Sequence, residues 1–226
     1  MVLASLTNGQ ANEQHTVRIA PERASGPGAP SRRIAGRRVR RDVRPGDRRA
    51  LCGDSYARLL DGATVTMYLP LLGQRFARER LKAMAKTQGL AFAQPSVLFM
   101  CVHNSGRSQI AAAWLRYLCG DDVTVWSGGT DPGGSISANV AEVMAEVGID
   151  LSEEFPKPWT DEVVEGADVI ITMGCGEACP VIAGKRYEDW SLLHSTGPDL
   201  ESARAARDEI REHVERLAST LRAVSQ

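Results

Sequence analysis

The second half of the chain alternates two apolar rhythms. Val97-Leu98-Phe99-Met100 is a short continuous apolar run, the pattern of a strand buried on both faces. Residues 108–118 read as a helix, stopped by Gly120 with Cys119 in its last turn. Residues 123–126 predict a second strand, and 139–147 a helix closed by Gly148. After Pro156-Lys157-Pro158, residues 160–164 predict a short helix, 168–172 an apolar strand and 186–190 a fourth strand. Residues 200–224 predict a long amphipathic helix with Ile210, Val214, Leu217, Leu221 and Val224 on one face. The expected fold class is therefore α/β: over residues 95–226, a four-stranded parallel sheet flanked by helices. Ligand sites in such sheets lie at the carboxyl ends of the strands.

Ahead of Pro95 the pattern changes twice. Residues 51–92 predict a partial helical extension: 55–60 end one helix, and in 74–85 Phe76, Leu81 and Met84 recur at helical spacing as a packing face. Residues 1–50 keep no period for more than a few positions and are rich in Arg, Ala, Gly, Pro and Ser. Such a segment buries too little apolar surface to offset its ordering entropy, so a disordered Arg-rich arm is expected. The formal net charge of −1 conceals this contrast, since residues 1–50 carry eleven arginines and four acids, a net +7. The arm has no recognisable fold and no aromatic residue for base stacking, so no nucleic-acid partner is expected. No apolar run approaches the roughly 18 residues that span a bilayer. Met1 to Gln14 lack the order of a signal peptide. The five cysteines have no framework spacing, which points to reduced thiols in a cytoplasmic protein.

Chemistry concentrates where the first strand ends. Cys101-Val102-His103-Asn104-Ser105-Gly106-Arg107-Ser108-Gln109 is a Cys-x5-Arg-Ser loop between that strand and the first helix of the domain. A short loop entering a helix turns several backbone N–H groups onto one point and makes an anion cradle. Cys101, Val102, His103, Asn104, Ser105, Gly106, Arg107 and Ser108 are the expected oxyanion-binding set. Cys101 is the expected nucleophile, because the helix N-terminus and Arg107 both favour negative charge on its sulfur. Arg107 can fork two N–H donors onto a tetrahedral oxyanion. Ser108 is placed to donate to the sulfur, and Gly106 permits the tight turn. A core cysteine with an incidental arginine would leave this order of strand, glycine and helix unexplained.

The strand at 168–172 delivers Cys175 and Cys179 to the same sheet edge, in Met173-Gly174-Cys175-Gly176-Glu177-Ala178-Cys179-Pro180. A Cys-x3-Cys pair on one helical turn has Cα atoms about 6 Å apart, within disulfide range. Two inert thiols are the plain alternative. A metal would need further ligands, and His194 is the one close candidate, so no metal is expected.

The loop 101–109, together with Trp126-Ser127-Gly128-Gly129-Thr130, Phe155-Pro156-Lys157-Pro158 and Ile171 to Pro180, resembles the thioredoxin-coupled arsenate reductases. These share the low-molecular-weight protein tyrosine phosphatase fold, and the likeness covers about residues 95–226. Residues 51–92 resemble the end of a helical bundle ahead of some fused arsenate reductases, so the bundle looks truncated. The resemblance implies that Cys101 attacks arsenate and releases water, leaving an arseno-cysteine held by Arg107 and the loop amides. It further implies that Cys175 attacks Cys101 and expels arsenite. Cys179 then displaces Cys101, leaving a Cys175–Cys179 disulfide for thioredoxin, or a low-molecular-weight thiol, to reduce. No cofactor is called for.

One departure stands out. The family carries an Asp-Asp-Pro after the segment of Trp190, its second Asp serving as general acid. Here the run is Ser191-Leu192-Leu193-His194-Ser195-Thr196-Gly197, with Asp199 further on. His194 occupies the acid's place and is the catalytic candidate there, since imidazole donates a proton near neutral pH, the equal alternative being a surface histidine in a drifted loop. Two rival functions follow: a phosphatase of the same fold, or a non-catalytic oxyanion binder that has lost its acid.

Overall fold

The computed structural model describes residues 45–61, 66–90, 94–175, 183–194, 196–197 and 199–224, all of the side chains among them except those of 45–47 and 224. Two helices come first, α1 (Pro45–Leu60) and α2 (Leu69–Thr87). They are followed by β1 (Ser96–Cys101), α3 (Arg107–Cys119), β2 (Thr124–Gly129), α4 (Ala138–Ala145), α5 (Asp161–Gly166), β3 (Val169–Thr172), β4 (Arg186–Asp189) and α6 (Leu200–Val224). The four strands are parallel in the order β2-β1-β3-β4, the sheet expected from the apolar runs.

All six residues of β1 are buried, as a central strand between two helical layers requires. Its side chains alternate between two cores. Val97, Phe99 and Cys101 join Ile171, α3 and the buried stripe Ile210, Val214, Leu217 and Leu221 of α6. Leu98 and Met100 join Ile170, Val163 and Val164 of α5 and Ala83 of α2 on the opposite face. The long amphipathic helix therefore has the bounds its pattern predicts. β2 runs further than expected, to Gly129, because its last residues lack side chains. A Cβ on Gly129 would stand 2.5 Å from the Val102 carbonyl oxygen, and one on Gly128 would stand 2.9 Å from the Trp159 Cα.

The N-terminal helices differ from expectation in two respects. α1 starts at Pro45, inside the stretch expected as a disordered arm, with proline pre-set for a first helical position. Residues 1–44 of that arm lie outside the described residues. α2 is longer than predicted, and its buried stripe is Leu69, Gly73, Phe76, Ala77, Arg80 and Ala83. Leu81 and Met84 sit at the rim of that stripe, half-buried. Small residues set the contact: Gly73 faces Tyr56 of α1, and Ala83 abuts Gly166 of α5. At this spacing the buried polar member, Arg80, reaches Asp54 at 2.6 Å, Ser55 at 2.9 Å and Glu162 at 3.0 Å, joining three helices.

Lys86, near the end of α2, bonds Asp168 and the Gln94 carbonyl. Burial by itself pushes the Asp168 carboxyl up, but the hydrogen bonds from Lys86 and the Ser96 main chain outweigh it and hold the group below its ordinary value. A depressed carboxylate contributes stability above its unfolded value, and that contribution disappears as pH falls through the folded value. Asp168 is half-exposed, so screening limits the contribution to about 1 kcal/mol. Asp168→Asn is expected to lower the melting temperature by about 2–4 °C at neutral pH. The difference should close well below the unfolded aspartate value of about 3.9. An equal deficit at both pH values in a thermal melt would refute the ionic account.

No helix among the described residues is long and apolar enough to cross a membrane.

Candidate active site

β1 ends at Cys101 and α3 begins at Arg107, so the loop between them lies at the carboxyl edge of the sheet. Its pivot is Asn104, fully buried and the one described non-glycine residue with positive φ, at 49°. Asparagine tolerates this left-handed conformation better than most residues. Its main-chain N–H donates to the Cys101 sulfur at 3.2 Å. Its Nδ2 donates to the Ser108 hydroxyl at 2.8 Å, and its Oδ1 accepts the Lys157 N–H at 3.0 Å. Gln109 Nε2 donates to the Asn104 carbonyl at 3.0 Å and to that of Phe155 at 3.2 Å. The Ser108 oxygen lies 3.0 Å from the Cys101 sulfur. Since it already accepts from Asn104, its own proton is free to point at the sulfur, as the sequence predicts.

The loop's carbonyls are turned outward and bonded. Val102, His103 and Ser105 accept the N–H groups of Asp131, Gly133 and Ser137 at 2.9–3.0 Å. The amides of Ser105, Gly106, Arg107 and Ser108 have no acceptor among the described residues, which leaves a run of donors at the start of α3. Arg107 is half-buried and forms no ion pair among the described residues. Its Nη1 passes 2.7 Å from the point where a Cβ on Gly174 would stand, and Gly174 has φ +73°. The turn after β3 therefore brings its main chain onto the guanidinium, which only glycine allows.

Cys101 and Cys175 are both buried, but in different cores. Cys101 belongs with α3 and α6, and Cys175 with Leu98, Met100, Ala83 and α5 on the other face. Cys175 is disulfide-bonded, whereas Cys52, Cys101 and Cys119 are free. Cys179 lies outside the described residues. Burial pushes the Cys119 thiol up, partly opposed by Arg222, so it is a core thiol rather than a reactive one.

The segment expected to hold an acid is arranged differently. His194 is half-exposed, and its Nδ1 lies 3.1 Å from Glu209 of α6. Glu209 also accepts the N–H groups of Leu193 and His194 at 2.8 and 3.0 Å. Asp199 caps the start of α6, accepting both the N–H and the hydroxyl of Ser202, and those bonds hold its carboxyl below the usual range. Among the described residues of this segment Thr196 stands at the cradle, its Oγ1 2.6 Å from the point where a Cβ on Gly106 would stand. Nothing in the local sequence marks Thr196, Gln109 or buried Lys157 for these places, since each is set by partners distant in the chain.

Residues 96–225 match the family described as low molecular weight phosphotyrosine protein phosphatase, more than half of the 226-residue chain. The chain belongs to that family. Ahead of this phosphatase-type domain, residues 49–85 match the N-terminal domain of protein-tyrosine-phosphatase-like proteins. An arsenate reductase of Bacillus licheniformis is 33% identical over 135 residues, 55% of this chain and 96% of that protein. A protein of Halobacterium salinarum, provisionally named an arsenate reductase, is 36% identical over 121 residues, 51% of this chain and 85% of its own length. Among solved structures, a thioredoxin-dependent arsenate reductase of Corynebacterium glutamicum superposes with a TM-score of 0.71 at 39% identity, covering 78% of this chain and 86% of that one. That coverage of this chain exceeds the phosphatase-type domain alone.

Proposed function

We propose that the protein reduces arsenate to arsenite by a three-cysteine relay and serves in arsenic detoxification. The observation that carries this reading is Cys175 held in a disulfide just past the end of β3, the strand that pairs with the one ending at Cys101, while Cys101 itself stays free. A phosphatase needs the cradle, its nucleophile and an acid, but no second redox sulfur. Arg107, with no counter-charge among the described residues, and the free amides of 105–108 suit a tetrahedral oxyanion.

In the proposed sequence the Cys101 thiolate attacks arsenic, one arsenate oxygen leaves as water after protonation, and a sulfur–arsenic(V) bond forms. The Cys175 thiolate attacks the Cys101 sulfur. The electron pair of the sulfur–arsenic bond stays on arsenic, which departs as arsenite, and a Cys101–Cys175 disulfide remains. Cys179 attacks Cys175, returning Cys101 as a thiolate, and the resulting disulfide takes two electrons from thioredoxin or a low-molecular-weight thiol. His194 is the proton donor of this proposal, its Nδ1 held on Glu209 and its Nε2 left to serve the departing oxygen. A helical extension (51–92) and a catalytic domain (95–226) are supported by the two family matches, although α1 begins at Pro45, within the Arg-rich arm proposed for 1–50.

The deciding experiment is arsenate-dependent NADPH oxidation in the presence of thioredoxin and its reductase, with thiols counted after one turnover. Steady oxidation and the loss of two thiols are expected. Hydrolysis of an aryl phosphate without any arsenate-dependent oxidation would establish the phosphatase reading instead.

A further inference from the structure

Glu79 and Lys157 stand outside the anion cradle, yet they meet directly behind it. Lys157 is 1% exposed. Its ammonium has two neighbours, the Phe155 ring at 4.5 Å from the centroid and the Glu79 carboxylate at 3.2 Å. No directed hydrogen bond reaches the Nζ, so the Glu79 contact acts as a counter-charge. An ammonium out of water is costly unless so paired. The main chain of the same residue braces the cradle. Its N–H donates to Asn104 Oδ1 at 3.0 Å, and its carbonyl accepts the Gly129 N–H at 2.9 Å. Two residues earlier, the Phe155 carbonyl accepts Gln109. Asn104 in turn bonds the Cys101 sulfur and the Ser108 hydroxyl.

From this chain of contacts we infer that α2 is a working part of the site: Glu79 is a positioning residue that fixes residues 155–158 through Lys157, and through them the loop carrying Cys101. The helical extension is thus a support for the chemistry as well as a covering for the sheet. The kinetic test of this inference rests on the reductase reading; the chemical test does not.

The full-length protein would be compared with Glu79→Gln, Lys157→Met and the double variant. Two properties would be read: thioredoxin-coupled arsenate reduction, and the rate at which iodoacetamide alkylates Cys101 in the reduced protein, with and without inorganic phosphate, followed on the Cys101 peptide by mass spectrometry. Glu79→Gln strands a buried ammonium and is expected to cut kcat/KM by roughly ten- to a hundredfold through misplacement of the loop. It should slow alkylation and weaken phosphate protection in parallel. Lys157→Met removes the same link but keeps the main-chain bonds and leaves no buried ammonium, so it should slow alkylation and weaken phosphate protection less than Glu79→Gln does, and the double variant should match Lys157→Met. Wild-type alkylation and phosphate protection in Glu79→Gln, with only the melting temperature lowered, would overturn the inference. So would a Lys157→Met variant indistinguishable from wild type, or a double variant worse than either single one. If wild type reduces no arsenate, the reductase reading fails, while alkylation and phosphate protection still decide the role of Glu79.

Discussion

Cys101→Ser is expected to abolish arsenate reduction, by at least roughly a thousandfold, and Cys175→Ser to stop it after one arsenate per protein. The two losses differ because the two sulfurs are spent at different steps. A serine hydroxyl at 101 would keep the contacts to Ser108 and to the Asn104 N–H, now 3.0 and 3.2 Å from sulfur. The cradle should survive and still bind phosphate. What disappears is the polarisable nucleophile, since an alkoxide is far harder to form than a thiolate at neutral pH. Cys175→Ser leaves attack on arsenic intact but removes the sulfur that breaks the sulfur–arsenic bond. The adduct on Cys101 would persist until an external thiol cleaved it. Rapid-quench measurement of protein-bound arsenic alongside free arsenite separates the cases: neither in Cys101→Ser, at most one bound equivalent and no arsenite in Cys175→Ser, and many equivalents of arsenite in wild type. Many turnovers in Cys175→Ser without added small thiols would rule out the relay.

Asn104→Ala should be the most damaging substitution outside the cysteines and Arg107. The side chain is fully buried and satisfies Ser108, the Lys157 N–H and Gln109 at once. Truncation orphans the Lys157 N–H and takes from Ser108 its donor, while Gln109 keeps the Asn104 and Phe155 carbonyls, and a buried group left unpaired costs about 1–3 kcal/mol. Alanine must also hold the left-handed backbone at φ 49°, which adds about 1 kcal/mol. A loss of about 3–5 kcal/mol in denaturant unfolding is expected, with little arsenate reduction remaining in the folded fraction. Asn104→Gly isolates the backbone part: it should be the more stable variant by about 1 kcal/mol and equally inactive. An active Asn104→Gly enzyme would mean that the side-chain bonds do not hold the loop.

The sheet and its nucleophile loop were legible because their signals are local. Apolar runs of strand length, stopped by glycine and followed by helical spacing, gave β1, β3 and α6 nearly to the residue. The cradle was legible because cysteine, glycine, arginine and serine occupy one stretch between a strand and a helix. What stayed hidden depends on partners distant in the chain. Lys157, between two prolines, reads as a surface residue until Glu79 is brought beneath it. Arg80 breaks the apolar stripe of α2, so its pattern pointed to Leu81 and Met84 in place of Gly73, Ala77 and Ala83. His194 was matched by position in a motif, and position says nothing of Glu209, which turns its ring toward α6. Asn104 was read as one more loop amide, because a side chain that organises its own loop has no period to betray it.

The separation of the two sulfurs gives the proposed cycle a direction. Exchange of one disulfide for another is nearly symmetrical, and a thiolate that has just been displaced can return. Here Cys175, once oxidised, is packed with Leu98, Met100 and Ala83 on one face of the sheet, while Cys101 faces the other core. Reversal would require the turn after β3 to be drawn out of its apolar seat, and an incoming reductant must do the same to finish the cycle. In the proposed relay the slow forward step would fall to whichever partner unpacks that turn.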